Sequence, residues 1–264
     1  MLIDLILVPQ GAEYQAVVRG LEAWMGQCPE VLSLPIGPAA VRRRLQSQHQ
    51  NGQLPNVDGQ RVLLLGLGGS VSPAYQVGDV LVLKDMVSRN SVALPSDGTT
   101  TGPDAGLGDG QTAWQSYGCD RPLTDALYQH LQVSQSLSPS FQIAMKTGVT
   151  SDRLLTTAQE KQQVGQQCQA SCVDMEGTSV VATMEEWGAK VSIIRVISDD
   201  CHTPIPDLTP AINAAGNLQF GSMLRIFARH PVAATNLIRG SLAGLQRLQL
   251  ITTWLGQKRN SSTL

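Results

Sequence analysis

Two carboxylates flank a methionine in the segment SCVDMEGTSV, where a short apolar run passes into an amphipathic pattern. They are Asp174 and Glu176, on either side of Met175. The position otherwise has the composition of a buried core, and an ionised carboxylate buried without a partner is costly. Either the rest of the protein or a ligand must therefore satisfy these groups. A carboxylate suits a vicinal diol such as the ribose 2′- and 3′-hydroxyls, whereas a helix N-terminal charge is the simpler interpretation of Glu176.

A second acidic group ends the apolar segment VSIIRVISDD, which places Ser198, Asp199 and Asp200 at the end of a predicted central strand. An Asp there acts as a general acid if a dry pocket raises its pKa. One alternative is an N-cap or Asx turn. Another is a divalent metal site of Asp199, Asp200 and His202, which is disfavoured because adjacent Asp side chains tend to point apart. Glu13, just after the first predicted strand, is either a first-turn helix charge or a further member of the site.

These residues are positioned by apolar strands that alternate with helical patterns along almost the whole chain. This alternation predicts an α/β fold, with three layers in which helices cover both faces of a mostly parallel or mixed sheet. In open parallel sheets, ligands bind outside the carboxyl ends of the strands. The strand ends inspected for that reason carry the sequences PQGAE, GLGGS, TGVTSD, VDMEG and RVISDD.

The glycine-rich segment GLGGS, Gly66 to Ser70, follows the strand RVLLL. Gly66 and Gly68 are candidate substrate-binding positions, because glycines let the backbone turn tightly and approach a ligand. An ordinary strand-to-loop turn is the simpler interpretation. A dinucleotide fingerprint fits poorly, because it requires a third glycine that opens a helix.

Composition limits the class of protein. The chain has 264 residues, 42% of them hydrophobic, and a formal net charge of −2, which predicts one globular domain over residues 1–264 and no nucleic-acid partner. The five cysteines lack zinc-site spacing, so reduced thiols in a cytoplasmic protein are expected. The apolar N-terminus has no basic leader, and no stretch is pure enough to predict a membrane span. The long irregular stretch from Pro95 to Arg121 predicts a lid or a subunit contact.

Three motifs, VDMEG, RVISDD and GLGGSVSPAYQVGDVLV, together resemble the nucleoside phosphorylase and methylthioadenosine/S-adenosylhomocysteine nucleosidase superfamily. The resemblance extends from the first strand to about residue 230. A helical extension at about 231–256 resembles the hopanoid-associated branch, in which the nucleoside carries a lipid. A packing helix is the simpler interpretation of this extension, and an apolar channel lining or a membrane-surface contact is the alternative.

The resemblance implies a role for each matching residue at the sugar. Glu176, with Met175 beside it, looks like the ribose clamp. Glu13 matches the carboxylate near the nucleophilic water.

At the base, Asp199 looks like the acid that protonates or hydrogen-bonds purine N7, with Ser198 supporting it. Asp152 and Leu154 belong to the segment that borders the base. Leu154 stands where related nucleosidases have a stacking aromatic, which weakens a prediction of strict adenine specificity.

The nucleophile is either water or phosphate. Phosphorylases of this superfamily place an Arg before the glycine segment and a Ser or Thr within it, and LLLGLGG has neither. We therefore expect hydrolysis without metal or organic cofactor, with phosphorolysis as the alternative and a non-catalytic nucleoside-binding protein as the alternative from another class. Arg42, Arg43 and Arg44 are expected on a solvated helix face, although they are also possible phosphate ligands. From the resemblance we expect a homo-oligomer.

Overall fold

The computed structural model describes residues 3–89, 114–135 and 140–257. Most of the stretch from Pro95 to Arg121, the predicted lid or subunit contact, lies outside these residues. Within its described part, Trp114–Gly118 forms a strand that the sequence pattern had not indicated.

Eight strands and seven α-helices are present in the described ranges. The strands are β1 (Leu5–Pro9), β2 (Glu30–Leu34), β3 (Arg61–Ser70), β4 (Val80–Arg89), β5 (Trp114–Gly118), β6 (Ile143–Thr150), β7 (Cys172–Asp174) and β8 (Lys190–Asp199). The helices are α1 (Ala12–Leu21), α2 (Pro38–Gln50), α3 (Arg121–Gln135), α4 (Ala158–Cys168), α5 (Gly177–Glu186), α6 (Phe220–Arg229) and α7 (Pro231–Gly256). A short 3-10 helix, Thr209–Ala211, precedes α6.

The strands form one mixed sheet that closes on itself. Strand β3 pairs with β1 and β8 in parallel and with β7 in antiparallel orientation. Strand β7 pairs with β6, β6 with β4, and β4 with β8, which completes a ring of five strands. The closure brings the ends of β3, β7 and β8 together, and the candidate site residues lie there.

Helices cover both faces of the sheet, as the sequence predicted. Leu5 and Leu7 of β1 belong to the core layer that includes residues of α2 and α5, whereas Ile6 and Val8 belong to the layer that includes α1, α3 and α7. Successive strand side chains point to opposite faces, so continuous apolar strands require a cover on each side. The α/β prediction is confirmed.

The prediction of a turn at the glycine segment was wrong, because β3 continues through it to Ser70. Gly66 pairs with Arg195 and Gly68 with Ile197 of β8. A Cβ atom at Gly66 would lie 2.5 Å from both Arg195 Nη1 and Glu13 Oε2. These glycines therefore serve to leave space for side chains beside the strand, and not to reverse the chain.

The C-terminal helix α7 extends over the sheet. Its second half packs into the core through Leu248, Ile251 and Leu255, which agrees with a packing role. No helix in the described ranges is long and apolar enough to cross a membrane. Assignment of residues 1–264 to a single domain stays a prediction.

Candidate active site

A cavity of about 360 Å³ opens at the carboxyl ends of β1, β3, β7 and β8. It brings together most of the residues that the sequence singled out. Those lining it are Glu13, Gly68, Leu154, Met175, Glu176, Ser198 and Asp199.

Two predicted positions do not line this cavity. Asp152 is exposed, and its neighbours Arg153 and Leu154 contribute to the wall instead. Gly66 lies behind the cavity, between Glu13 and Arg195. Neither residue is placed to contact a ligand in the cavity.

The two buried carboxylates, Asp174 and Glu176, differ in how far the protein itself satisfies them. Asp174 is satisfied internally, because its Oδ2 accepts hydrogen bonds from Arg195 Nε at 3.0 Å and Nη2 at 2.5 Å. Its Oδ1 accepts from the Thr150 hydroxyl at 2.8 Å, and the Gly177 N–H donates to the same carboxylate. Asp174 therefore holds the fully buried Arg195 in place. It needs no ligand.

Glu176 is only partly satisfied. Its Oε2 receives one bond from Arg195 Nη2 at 3.2 Å, and its Oε1 receives a long bond from the Gly37 N–H at 3.4 Å. Burial raises the pKa of Glu176 to about 7, with Arg195 opposing the shift and Asp174 adding to it. Because a carboxylate can accept about four hydrogen bonds, Glu176 retains acceptor capacity toward the cavity.

Glu13 projects from the first turn of α1 into the same group. Its Oε2 accepts a hydrogen bond from the Leu67 N–H at 2.6 Å. Burial raises the pKa of Glu13 to about 8, although the Leu67 hydrogen bond and the charge of Arg195 act in the opposite direction. Such a carboxyl group can exchange a proton near neutral pH, as a general base must.

Arg195 is the shared cation of the three acidic side chains Glu13, Asp174 and Glu176. Burial acts to lower the pKa of Arg195, but these carboxylates outweigh it and raise the pKa. Its Nη1 is buried and has no hydrogen-bond partner among the described residues. Nη1 and Glu13 Oε2 both lie 2.5 Å from the Cβ position of Gly66, so the guanidinium and the Glu13 carboxyl group flank the same glycine.

Asp199 is held by a second buried cation. Lys161 of α4 is fully buried, and its Nζ donates to Asp199 Oδ2 at 2.6 Å and to the carbonyls of Asp200 and Thr203. The Ser198 hydroxyl donates to Asp199 Oδ1 at 3.0 Å. Both carboxyl oxygens thus have a fixed direction, and the side chain still borders the cavity.

A strand irregularity aims Asp199 at the cavity. The β3–β8 register pairs Gly68 with Ile197 but Gly69 with Asp199, so Ser198 is the extra residue. In a regular strand, adjacent side chains point to opposite faces, whereas here Ser198 and Asp199 both line the cavity. Bulges redirect side chains in this way beside active sites.

Asp200 adopts the turn geometry considered from the sequence. Its Oδ1 accepts hydrogen bonds from the backbone N–H groups of His202 and Thr203. The described residues contain no cluster of three or more His, Cys, Asp or Glu that could hold a metal ion.

Sequence reasoning missed Arg195, Lys161 and Gly37. An Arg within the apolar run VSIIRVI was a usable signal, because a buried guanidinium requires carboxylate partners. Lys161, within AQEKQQV, resembles an ordinary surface lysine, so nothing local distinguished it. The three Arg of α2 lie away from the cavity wall, and Arg43 donates to the Ala214 carbonyl.

Most of the remaining wall of the cavity is apolar and aliphatic, with Gln10, Arg153 and Ser241 as polar members. No Phe, Tyr or Trp lines the cavity among the described residues. Leu154 is at the wall, where the resemblance implies a base-stacking position. Helix α7 also contributes, so the C-terminal extension takes part in building the site through Leu237, Ser241 and Leu245.

The sequence model of a family described as the phosphorylase superfamily matches residues 37–219. Futalosine hydrolase of Helicobacter pylori strain 26695 superposes with a TM-score of 0.58 at 17% identity, covering 94% of this chain and 95% of that chain. The H. pylori 5′-methylthioadenosine/S-adenosylhomocysteine nucleosidase with butyl-thio-DADMe-Immucillin-A gives a TM-score of 0.56 at 18% identity, covering 94% and 96%. The nucleosidase from Neisseria meningitidis gives 0.57 at 13% identity, covering 94% and 97%. At these identities the likeness shows the fold. No curated protein sequence matched the chain.

Proposed function

Because the chain belongs to the phosphorylase superfamily, we propose that it hydrolyses the N-glycosidic bond of a purine nucleoside or a 5′-modified adenosine. The family match and the nucleosidase fold neighbours support glycosyl-bond cleavage. One observation carries the proposal: acidic side chains converge on one cavity in two groups, each with its own buried cation. Glu13 and Glu176 share Arg195, and Asp199 pairs with Lys161.

The two acidic groups border different parts of one cavity. Glu13 lies over β3 at Gly66, whereas Asp199 Oδ2 lies 2.8 Å from the Cβ position of Gly69. A nucleoside in the cavity can therefore meet one group with its sugar and the other with its base. In this orientation Glu176 accepts the ribose hydroxyls, Met175 packs beside the sugar, and Asp199 meets the purine.

Cleavage develops positive charge on the ribose and negative charge on the departing base. Acidic groups near the sugar stabilise an oxocarbenium-like transition state, and proton transfer from the protonated form of Asp199 to N7 stabilises the leaving base. Lys161 and Ser198 fix the direction of the Asp199 carboxyl group, so little reorientation is needed during reaction.

Water is the nucleophile that this site favours. Glu13 lines the cavity, and its carboxylate form can take a proton from a water molecule that enters the cavity. Phosphate needs several cationic or hydroxyl donors. Among the described residues that line the cavity, Arg153 is the one with a basic side chain. Its guanidinium already pairs with Glu160. Phosphorolysis therefore has less support. Homo-oligomerisation remains a proposal that rests on the resemblance alone, and a cytoplasmic location remains a proposal that rests on the five free cysteines.

The test is release of free base in phosphate-free buffer. The purified chain is incubated with methylthioadenosine, S-adenosylhomocysteine, adenosine and inosine, each with and without inorganic phosphate. Base release that is independent of phosphate supports hydrolysis. A strict phosphate requirement would show phosphorolysis instead, and tight binding without base release would identify a nucleoside-binding protein.

Glu176→Gln is expected to weaken the binding of ribosides more than that of 2′-deoxynucleosides. The amide loses one acceptor for the ribose diol and no longer pairs with Arg195 as an anion. We expect KM for adenosine to rise on the order of tenfold, since a hydrogen bond to a charged group contributes about 1.5–3 kcal/mol. Steady-state kinetics with ribo- and 2′-deoxynucleosides measures the ratio of their KM values. An unchanged preference between ribo and deoxy substrates would contradict the clamp.

A further inference from the structure

We propose that the exposed face of α6 and of the first half of α7 docks on the surface of an anionic lipid bilayer. The apolar residues of this docking face are Phe220, Leu224, Val232, Ile238 and Leu242, and the basic residues Arg225, Arg229 and Arg239 lie on the same two helices.

Helix α6 is amphipathic and yet buries none of its residues. Phe220 is 69% exposed and Leu224 is 51% exposed, although an apolar stripe on a surface helix normally faces the core. In α7 the same pattern continues, with Val232 75% and Leu242 56% exposed on the side opposite the buried Leu248. The described residues therefore leave these apolar side chains of the two helices without a cover.

The charge distribution indicates what covers these side chains. From residue 208 to 264 the sequence contains no Asp or Glu, but five Arg and one Lys. Residues 1–207 hold the other 13 basic residues and all 21 acidic ones, so the two parts of the chain carry opposite net charge. Arg225, Arg229 and Arg239 are exposed, and none of them forms an ion pair within the described ranges.

Exposed apolar side chains and unpaired arginines on the same two helices match an anionic membrane interface. A helix of this kind lies in the headgroup plane, with its apolar face toward the acyl chains and its arginines beside the lipid phosphates. A second copy of the chain fits less well. A two-fold interface buries the same patch of both copies, so the arginines of both copies would lie in one interface to which residues 208–264 supply no acidic partner.

The docking face lies beside the entrance of the cavity described above. Leu218, two residues before α6, lines the cavity and is 41% exposed. Leu237 of α7 lines the cavity wall, while its neighbour Ile238 is 44% exposed. A membrane on this face would thus adjoin the cavity mouth.

Flotation of the full-length chain with lipid vesicles tests the proposal. One set of vesicles contains phosphatidylcholine alone, and the other contains an equal mixture of phosphatidylcholine and phosphatidylglycerol. We expect binding to the mixed vesicles, weakened by added NaCl, and little binding to the neutral ones. Arg225→Gln with Arg229→Gln should lower the partition coefficient on the order of 20-fold, because each arginine near an anionic surface contributes about fivefold.

A pair of matched variants separates this face from general surface effects. Phe220→Glu with Leu224→Glu should abolish vesicle binding, whereas Met25→Glu with Val133→Glu adds the same charge at other exposed apolar positions and should retain binding. Circular dichroism and thermal unfolding show whether each variant is folded. Absence of binding by the parent chain, or equal binding to neutral vesicles, would overturn the proposal. So would a halved solution mass in the Phe220 and Leu224 variant, because it would assign the face to a second copy.

Discussion

Asp199→Asn is expected to lower the rate of base release by roughly 10²–10⁴-fold, the usual contribution of general acid catalysis. The amide keeps the size of the side chain but cannot carry a proton to purine N7. Nucleoside binding should change little, because the ribose contacts and the apolar wall stay intact. Single-turnover kinetics and equilibrium binding of adenosine measure the two effects separately.

The ion pair with Lys161 requires a control for folding. Replacing Asp199 removes the anion from a fully buried ammonium group, which destabilises a protein by several kcal/mol when the pair is well buried. Asp199→Asn combined with Lys161→Met removes both charges and should recover part of the stability without recovering turnover. Asp200→Asn is the matched control variant. Because Asn still caps the turn, the rate of base release should be near that of the parent. Parent-like turnover in Asp199→Asn would remove Asp199 from the mechanism.

Glu13→Gln is expected to abolish hydrolysis while it stabilises the fold at neutral pH. Gln cannot take a proton from the nucleophilic water, so a loss of roughly 10²–10⁴-fold in kcat follows. In the parent, kcat should rise with pH through about 8, because the pKa of Glu13 is raised to about 8 and its basic form is the active one. The variant should lack this rise.

The raised pKa of Glu13 makes the free energy of unfolding depend on pH. The pKa of Glu13 is about 4.5 in the unfolded chain and about 8 in the folded protein. Between these values the folded state binds the additional proton, so the free energy of unfolding falls as pH increases. The stability contribution from Glu13 is fully present below about pH 4.5 and is lost as pH rises through about 8. Glu13→Gln removes this dependence.

Urea unfolding at several pH values between about 5 and 8 checks this sign. The difference in unfolding free energy between Glu13→Gln and the parent should increase with pH across the window. Glu22→Gln, at an exposed position immediately after α1, is the control and should follow the parent curve. Parallel curves for the parent and Glu13→Gln would contradict the assignment of a raised pKa to Glu13.

Local patterns in the sequence determined the α/β class and the candidate carboxylates. Apolar runs such as VSIIRVI alternate with amphipathic runs such as EGTSVVATMEEW, and each pattern depends on neighbouring residues only. Because parallel strands end at a common rim, Glu13, Glu176 and Asp199 could be grouped before any coordinates were considered. Their roles in catalysis remain proposals.

Tertiary structure decided which partners those carboxylates have. Lys161 pairs with Asp199 from 38 positions away, and Arg195 of β8 binds Asp174 at the end of β7. The course of β3 through Gly66 and the bulge at Ser198 depend on pairing with β8, a strand more than a hundred residues further along the chain. Such pairings arise from closure of the sheet, and no local periodicity encodes them. The same holds for the uncovered face of α6, since its apolar stripe predicts a contact without specifying whether the core, a second chain or a membrane provides it.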